Sequence, residues 1–369
     1  MDNIGLLQQC QSLVPLSTLR KPHLKTLIQT AASVTACRGD TLFTESEAPE
    51  SLFYLLTGEV LLKHLDGTER IITADFHWLP IVQFQCEKFS AMALTDCELL
   101  KLNRYHLDNL LTWSQVADYL EIDISYDRQF DTDANWMTSI LNSNLFYKIP
   151  PLNIFAIYSK ISAIDVKKED WIIHQGDKGD YCYFIKEGKA QVRLSEKVGD
   201  SYSVPIAELG IGRCFGEDAL IKNALRNASV KMLTDGTLMR LHKSDFKDLL
   251  KEMTVEQVEV DTLESCRNQN FQFLDVRTQE EFDYKHIVNA IHIPLTLLRL
   301  KIRMLDPQKH YLIYCNTGSR SQATAVLLQQ KGYKVSVLKG GLSSINQEQV
   351  EKLLVSELDA IYQSASSHH

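Results

Sequence analysis

Two short stretches of this chain carry side chains that could do chemistry. Phe215 to Val230 reads FGEDALIKNALRNASV and sets Glu217 nine residues before Arg226, with Asn227, Ala228 and Ser229 following. A carboxylate and a guanidinium on one short loop suit a ligand that carries both a diol and a phosphate. The carboxylate can accept hydrogen bonds from a ribose hydroxyl, and the guanidinium offers a phosphate a planar, permanently charged fork of donors. Gly216 and the small residues let backbone amides approach the same anion. The second stretch is YCNTGSRS, in which Cys315 ends an apolar run and directly precedes a helical pattern. Asn316, Thr317, Gly318 and Ser319 form a loop of small residues able to turn their amides toward the sulfur. A helix N-terminus and Arg320 both favour thiolate over thiol, so the sequence predicts a lowered cysteine pKa and a nucleophile that needs no separate base. A small buried cysteine at a strand end is the plainer alternative.

Rigid elements must hold these residues. Residues 1–37 read as helical, with Leu6, Leu7, Cys10, Leu13, Leu24, Leu27 and Ile28 at three- and four-residue spacings. From Gly39 the texture changes to short strands, DTLFTE, SLFYLLTGEVLLKHL and ERIITADF, with turns at Gly58 and Asp66-Gly67. This region recurs. RGDTLFTESEAPESLFYLLTGEVLL lies over KEDWIIHQGDKGDYCYFIKEGKAQV at an offset of 130, and ALTDCELLKLNRYHLDNLL lies over KMLTDGTLMRLHKSDFKDLL at 139. The second copy has therefore gained nine residues, which the polar loop SEKVGDSYS would absorb. Carried back by 139, Glu217 falls on Trp78 and Arg226 on Glu87. A carboxylate where a phosphate needs a cation repels it. The first copy is thus expected to bind no such ligand, to pack against a neighbour and to keep Trp78 as core. A site adapted to another ligand, with Trp78 as a stacking surface, is the alternative.

Residues 101–160 read as mostly helical until Pro150-Pro151 breaks the chain. Gly176-Asp177, Gly179-Asp180 and Gly188 punctuate the second set of strands. After Leu250 only one short element fits before the composition changes at FQFLDVR. From there strand, helix, strand, helix and strand alternate, with Ala323, Val326, Leu327 and Leu328 on an amphipathic helix after Cys315. That alternation predicts a mostly parallel α/β sheet with reactive groups at the carboxyl ends of its strands.

The 215–230 stretch resembles the phosphate-binding cassette of cyclic-nucleotide-binding domains of the cAMP-receptor type. The resemblance implies that Glu217 binds the ribose 2′-hydroxyl and Arg226 the cyclic phosphate. The site it implies is Phe215, Gly216, Glu217, Ala219, Arg226, Asn227 and Ala228, with cAMP or cGMP as ligand. Leu225 replaces the usual proline and Asp218 a usual apolar residue; neither change removes a ligand contact. LDVR, EEF, HIVNAIHIP, YCNTGSRS and LKGG follow one another over the C-terminal region and resemble single-domain rhodanese sulfurtransferases. That likeness implies that Cys315 carries sulfane sulfur as a persulfide between a donor and a thiol acceptor, with Arg320 in the loop, while Asp275, Arg277 and His286 hold the fold. Lys285 stands where the family has glycine. Related phosphatases carry C-x5-R; the spacing here is C-x4-R, one residue shorter, which favours a pocket sized for sulfur.

The expected fold is multidomain α+β and α/β. Two cyclic-nucleotide-binding β-rolls with flanking helices precede a rhodanese-like parallel-sheet α/β domain, in the manner of a bacterial signalling protein. The expected boundaries are a degenerate roll at 1–135, a ligand-binding roll at 136–254, the rhodanese-like domain at 255–355 and a tail at 356–369. The expected function is a cyclic-nucleotide-responsive sulfurtransferase. A non-enzymatic sensor that docks partners through its rhodanese-like domain stays open, as does a cysteine phosphatase. A net charge of −8, no Lys/Arg-rich run and no helix-turn-helix argue against a nucleic-acid partner. Eight cysteines without a CxxC pair give neither a disulfide framework nor a metal site, which points to a reducing cytoplasm. No apolar run approaches the ~18 residues of a membrane span. The sequence leaves a homodimer open.

Overall fold

The computed structural model describes residues 3–44, 50–64, 67–76, 78–82, 89–126, 153, 157, 160–195, 203–251, 255–263 and 271–355. Helices α1 (Asn3–Cys10) and α2 (Lys21–Thr30) lead into β1 (Ala32–Ala36), β2 (Thr41–Phe43), β3 (Ser51–Thr57), β4 (Glu59–His64), β5 (Glu69–Thr73), β6 (Phe89–Ala93) and β7 (Cys97–Asn103), followed by α3 (Arg104–Tyr126). The strands form two antiparallel sheets, ordered β1-β7-β3 and β2-β6-β4-β5. The helical reading of residues 1–37 overreaches. Helix α2 ends at Thr30, and Val34 and Thr35 lie in a strand whose backbone pairs with β7. Long-range pairing of a β-branched segment overrides its local spacing. For the same reason residues 101–103 finish a strand rather than begin a helix.

The second roll repeats this plan with β8 (Ser162–Val166), β9 (Trp171–Ile173), β10 (Tyr181–Glu187), β11 (Ala190–Leu194), β12 (Val204–Leu209), β13 (Cys214–Phe215), the one-turn α4 (Glu217–Ile221), β14 (Ser229–Met232), β15 (Gly236–His242) and α5 (Lys243–Leu249). Its sheets are ordered β13-β10-β15-β8 and β12-β11-β14-β9. Strands β1 and β8, β2 and β9, and β3 and β10 each stand 130 residues apart and bury the same positions along their length. Gly58 and Gly188 hold the same turn with φ near +95°, and a Cβ there would stand 2.5 and 2.9 Å from the carbonyl oxygens of Asp96 and Asp235. The register locates most of the insertion. Ile72 pairs with Val60 and Leu209 with Ala190, so seven of the nine added residues lie between Ala190 and Leu209 (209 − 72 = 137, against 130), six of them in the β11–β12 connection and one at a register shift within β12, and two lie later.

The C-terminal domain comprises β16 (Gln257–Val258), β17 (Phe271–Asp275), α6 (Gln279–Tyr284), β18 (His286–Ile287), β19 (Ile291–His292), α7 (Leu298–Lys301), β20 (His310–Tyr314), α8 (Ser319–Gln330), β21 (Lys334–Leu338), α9 (Gln347–Leu353) and β22 (Leu354–Val355). Five strands form a wholly parallel sheet in the order β16-β21-β20-β17-β19, and β18 pairs with β22. Helix α8 is not amphipathic: Arg320, Ser321 and Ala323 to Leu328 are all buried. A helix enclosed on nearly all sides needs small and apolar residues around its circumference, which the alanines supply.

The chain forms two compact units. One joins Met1–Tyr119 to Val255–His369 and so packs the first roll together with the C-terminal domain; the other is Leu120–Thr254. Trp78 departs from the expected core role, being 52% exposed, while its carbonyl accepts a hydrogen bond from Val14 N–H at 2.8 Å. Its neighbours Leu79, Ile81 and Val82 fill the interior instead. Glu87 lies outside the described residues.

Candidate functional site

In the second roll the cassette closes on the 176–180 loop through two backbone hydrogen bonds, Arg226 N–H to the Asp177 carbonyl and Gly176 N–H to the Arg226 carbonyl, each 2.8 Å. The Arg226 side chain is 7% exposed and donates to the carbonyls of Gly216 at 2.5 Å and Tyr181 at 2.6 Å. Gly216 adopts φ +83°, and a Cβ there would stand 2.7 Å from Arg226 Nη1, so only glycine admits the guanidinium. Burial draws the Arg226 pKa below its usual range, while Tyr183, Cys182, Asp180 and Asp177 pull the other way. Glu217 is 5% exposed, at the start of α4. Ala219 is buried, Phe215 is buried and stacks on Tyr183, Ala228 is half-buried, and Asn227 and Leu225 are exposed. The structure thus brings a buried carboxylate and a buried guanidinium, the latter donating to two backbone carbonyls, to one loop.

The cysteine loop bridges the end of β20 and the start of α8. Gly318, with φ +107°, turns its N–H onto Cys315 Sγ at 3.1 Å. Ser321 Oγ lies 3.7 Å from the sulfur and donates to the Gly318 carbonyl at 2.9 Å. Behind the loop, the glycine pair of LKGG is explained by close approach: a Cβ on Gly341 would meet the Cys315 carbonyl at 2.4 Å. Leu342 and Ser343 N–H groups donate to the carbonyls of Cys315 and Asn316, each at 2.8 Å.

Arg320 is fully buried and forked onto Glu281, with Nη1 to Oε2 at 2.7 Å and Nη2 to Oε1 at 2.9 Å. Glu281 also accepts from Asn316 Nδ2 at 2.7 Å and from Thr278 N–H at 2.9 Å, the latter as part of a capping box. Burial alone would raise the Glu281 pKa, but Arg320, then Arg277 and the Thr278 amide, hold it down to about 2. Asp275 and Arg277 form a second fully buried ion pair at 2.7 Å, and Arg277 Nη1 donates to Asn316 Oδ1 at 3.2 Å. His286 is buried, with Nδ1 2.8 Å from the Phe282 carbonyl.

The expected thiolate is the point at which the structure differs. Cys315 is fully buried, and burial followed by the nearby Asp108 carboxylate pushes its thiol up to about 11, against the downward pull of Arg320 and Ser321. Asp108 belongs to α3, 207 residues away in sequence, and is itself 3% exposed. Cys315 Sγ donates to Asp108 Oδ2 at 3.6 Å, Thr317 Oγ1 donates to the same oxygen, and Arg320 Nη2 stands 2.8 Å from Oδ1. Ser319 Oγ donates to Asn109 Oδ1 at 2.9 Å. Sequence reasoning missed both carboxylates. Glu281 had a signal, the T-x-x-E spacing from Thr278 that marks a capping box; Asp108 had none.

Comparison with known proteins matches this architecture. The cyclic nucleotide-binding domain family model covers residues 33–112 and 163–253, and the rhodanese-like domain model covers 259–348. The chain therefore carries tandem cyclic nucleotide-binding domains followed by a C-terminal rhodanese-like domain. Among relatives, a cGMP-dependent protein kinase of Plasmodium berghei (strain Anka) is 33% identical over 120 residues, 32% of this chain and 12% of the kinase. A tRNA sulfurtransferase of Vibrio cholerae is 29% identical over 120 residues, 31% of this chain and 25% of that protein. The chain thus spans a quarter or less of the length of these two relatives. Among solved structures, the regulatory domain of Toxoplasma gondii PKA with cAMP aligns with a TM-score of 0.27 and 19% identity over 73% of this chain and 98% of that one. Among the described residues no helix is long and apolar enough to cross a membrane.

Proposed function

We propose that this protein is a cyclic-nucleotide-responsive sulfurtransferase, with cAMP or cGMP held by Glu217 and Arg226 of the second roll and sulfane sulfur carried on Cys315. The observation that carries the reading is the Cys315–Arg320 loop, where the Gly318 N–H meets the sulfur at 3.1 Å and a buried guanidinium lies within the same turn. Both features stabilise negative charge on a thiolate or persulfide. With thiosulfate as donor, the Cys315 thiolate attacks the outer sulfur. A new S–S bond forms, the donor's S–S bond breaks, and sulfite leaves with the electron pair. A thiol or cyanide acceptor then takes the outer sulfur and restores the thiolate. Sequence similarity to a tRNA sulfurtransferase supports the reaction class. The six described cysteines are all free, which supports a reducing, cytoplasmic setting.

The burial of Cys315 favours one rival, a sensor that uses the rhodanese-like domain only for docking. The two separate on one measurement. Incubation of the full chain with thiosulfate adds one sulfur mass, cyanide removes it, and Cys315→Ser abolishes both. Persulfide forming equally on Cys315→Ser, or on neither protein even after Asp108 is neutralised, rejects the sulfurtransferase. A phosphate-release assay on the same samples excludes the phosphatase if it stays silent.

A further inference from the structure

The polar groups of the cysteine loop converge on one point, and that point is taken by another domain. The thiol of Cys315, the hydroxyl of Thr317 and the guanidinium of Arg320 all address the carboxylate of Asp108. A thiol, a hydroxyl and a guanidinium around one position form a receptor for a small oxyanion. A sulfur donor with an anionic group needs that same position. The neighbouring cavity offers no substitute. It is lined by Leu52, Leu79, Arg104, Asp108, Glu281 and Asn316 among others, and its volume is about 20 Å³, room for about one water and too small for a donor anion.

We infer that Asp108 is a built-in substrate mimic: the first roll holds the cysteine loop closed by seating a carboxylate where the donor anion must bind. This rests on the reading of Cys315 as the sulfur carrier and adds how that carrier is restrained. It also gives the degenerate roll a task. The clamp has a second contact, Ser319 to Asn109, and an anchored base. Asp118, one helical stretch further along α3, pairs with Arg20 at 2.8 Å, and Ser114 lies 2.7 Å from the buried His23 ring. Helix α3 is buried on most sides over residues 107–120, so Asp108 is presented by a rigid element. In the closed arrangement the sulfur keeps its proton and donates it to the Asp108 carboxylate; once that carboxylate leaves, Arg320, still paired with Glu281, and the Gly318 amide remain beside the sulfur to favour the thiolate.

The test uses the full chain with Asp108→Asn, which keeps shape and removes charge, and Asn109→Ala, a surface change that leaves the core untouched. Iodoacetamide labelling is followed peptide by peptide, with the exposed Cys37 as internal reference for reagent and folding. Relative to Cys37, Cys315 in Asp108→Asn should label about tenfold faster or more, the rise in thiolate for a one-unit fall in pKa. Asn109→Ala should give about a two- to twelvefold rise, the worth of one neutral hydrogen bond. Thiosulfate loading should accelerate in the same order. Labelling of Cys315 that is unchanged or slower in both variants overturns the inference. The sulfur reading fails separately: labelling that rises while thiosulfate loads no variant rejects the carrier and keeps Asp108 as the clamp.

Discussion

In the first roll the helix after β7 runs 23 residues and places the buried Asp108 against the cysteine loop; in the second the helix after β15 runs seven and its matching position is the exposed Lys247. The second roll keeps a buried Glu217 and Arg226, where the first presents Trp78, 52% exposed, at the position matching Glu217. Beneath these differences the strands stand at constant offsets and bury matching positions. One frame thus carries two different sets of buried polar residues. A fold of this type does not state its function; the few residues set on it do.

The comparison breaks most sharply at Arg226. Arg226→Ala removes the charged partner of a buried phosphate and should weaken cyclic-nucleotide binding by about 2–5 kcal/mol, about 30- to 5,000-fold in Kd. Calorimetric titration of the full chain measures it. Binding that survives undiminished would reject Arg226 as the phosphate partner. Acid pH acts on the other side of the comparison, at the network joining the first roll to the cysteine loop. Glu281 sits at about 2 in the fold, against about 4.3 when unfolded, which corresponds to about 3 kcal/mol. Because the folded value is depressed, this stability is present above about pH 4.3 and is lost as pH falls through about 2. Urea unfolding should show wild type more stable than Glu281→Gln at pH 7, with the gap narrowing steadily toward pH 3. A gap independent of pH would remove the ion pair from the account. The smallest expected effect tests whether the two rolls communicate. Saturating cAMP or cGMP should change the rate of Cys315 persulfide loading at low thiosulfate by about 5- to 150-fold, a coupling of about 1–3 kcal/mol, and Arg226→Ala should erase the change. Helix α3 carries Asp108 and runs in sequence from Arg104 to Tyr126, across the boundary between Tyr119 and Leu120. Equal rates with binding verified independently would leave the rolls uncoupled.

Much of this was legible in the sequence because it is local. The turn glycines, the Gly216–Glu217 and Arg226 cassette and the strand–Cys315–helix loop each follow from residues within about twenty positions of one another, and the repeat shows as the same local pattern met twice. What escaped depends on distant partners. The β1 strand was hidden because its pairing with β7 lies some 65 residues away. The exposure of Trp78 reflects how neighbouring segments fill the roll. The raised pKa of Cys315 escaped as well: only the plainer reading, a buried cysteine at a strand end, pointed to it, while the helix start and Arg320 pointed to a thiolate. Burial and a carboxylate 207 positions upstream decide otherwise.

The seat of Asp108 also governs what can be inherited or removed. A fragment starting at residue 255 would carry an intact Cys315 loop yet present it bare, with Arg320 matched by Glu281 alone, and its reactivity would describe a different protein. A substitution in the loop that no longer accepts a carboxylate must meet a compensating change in α3, so Asp108 and Thr317 should drift together across descendants of this chain. On the inference drawn above, the first roll serves the rhodanese-like domain through a contact that spans 207 positions of sequence.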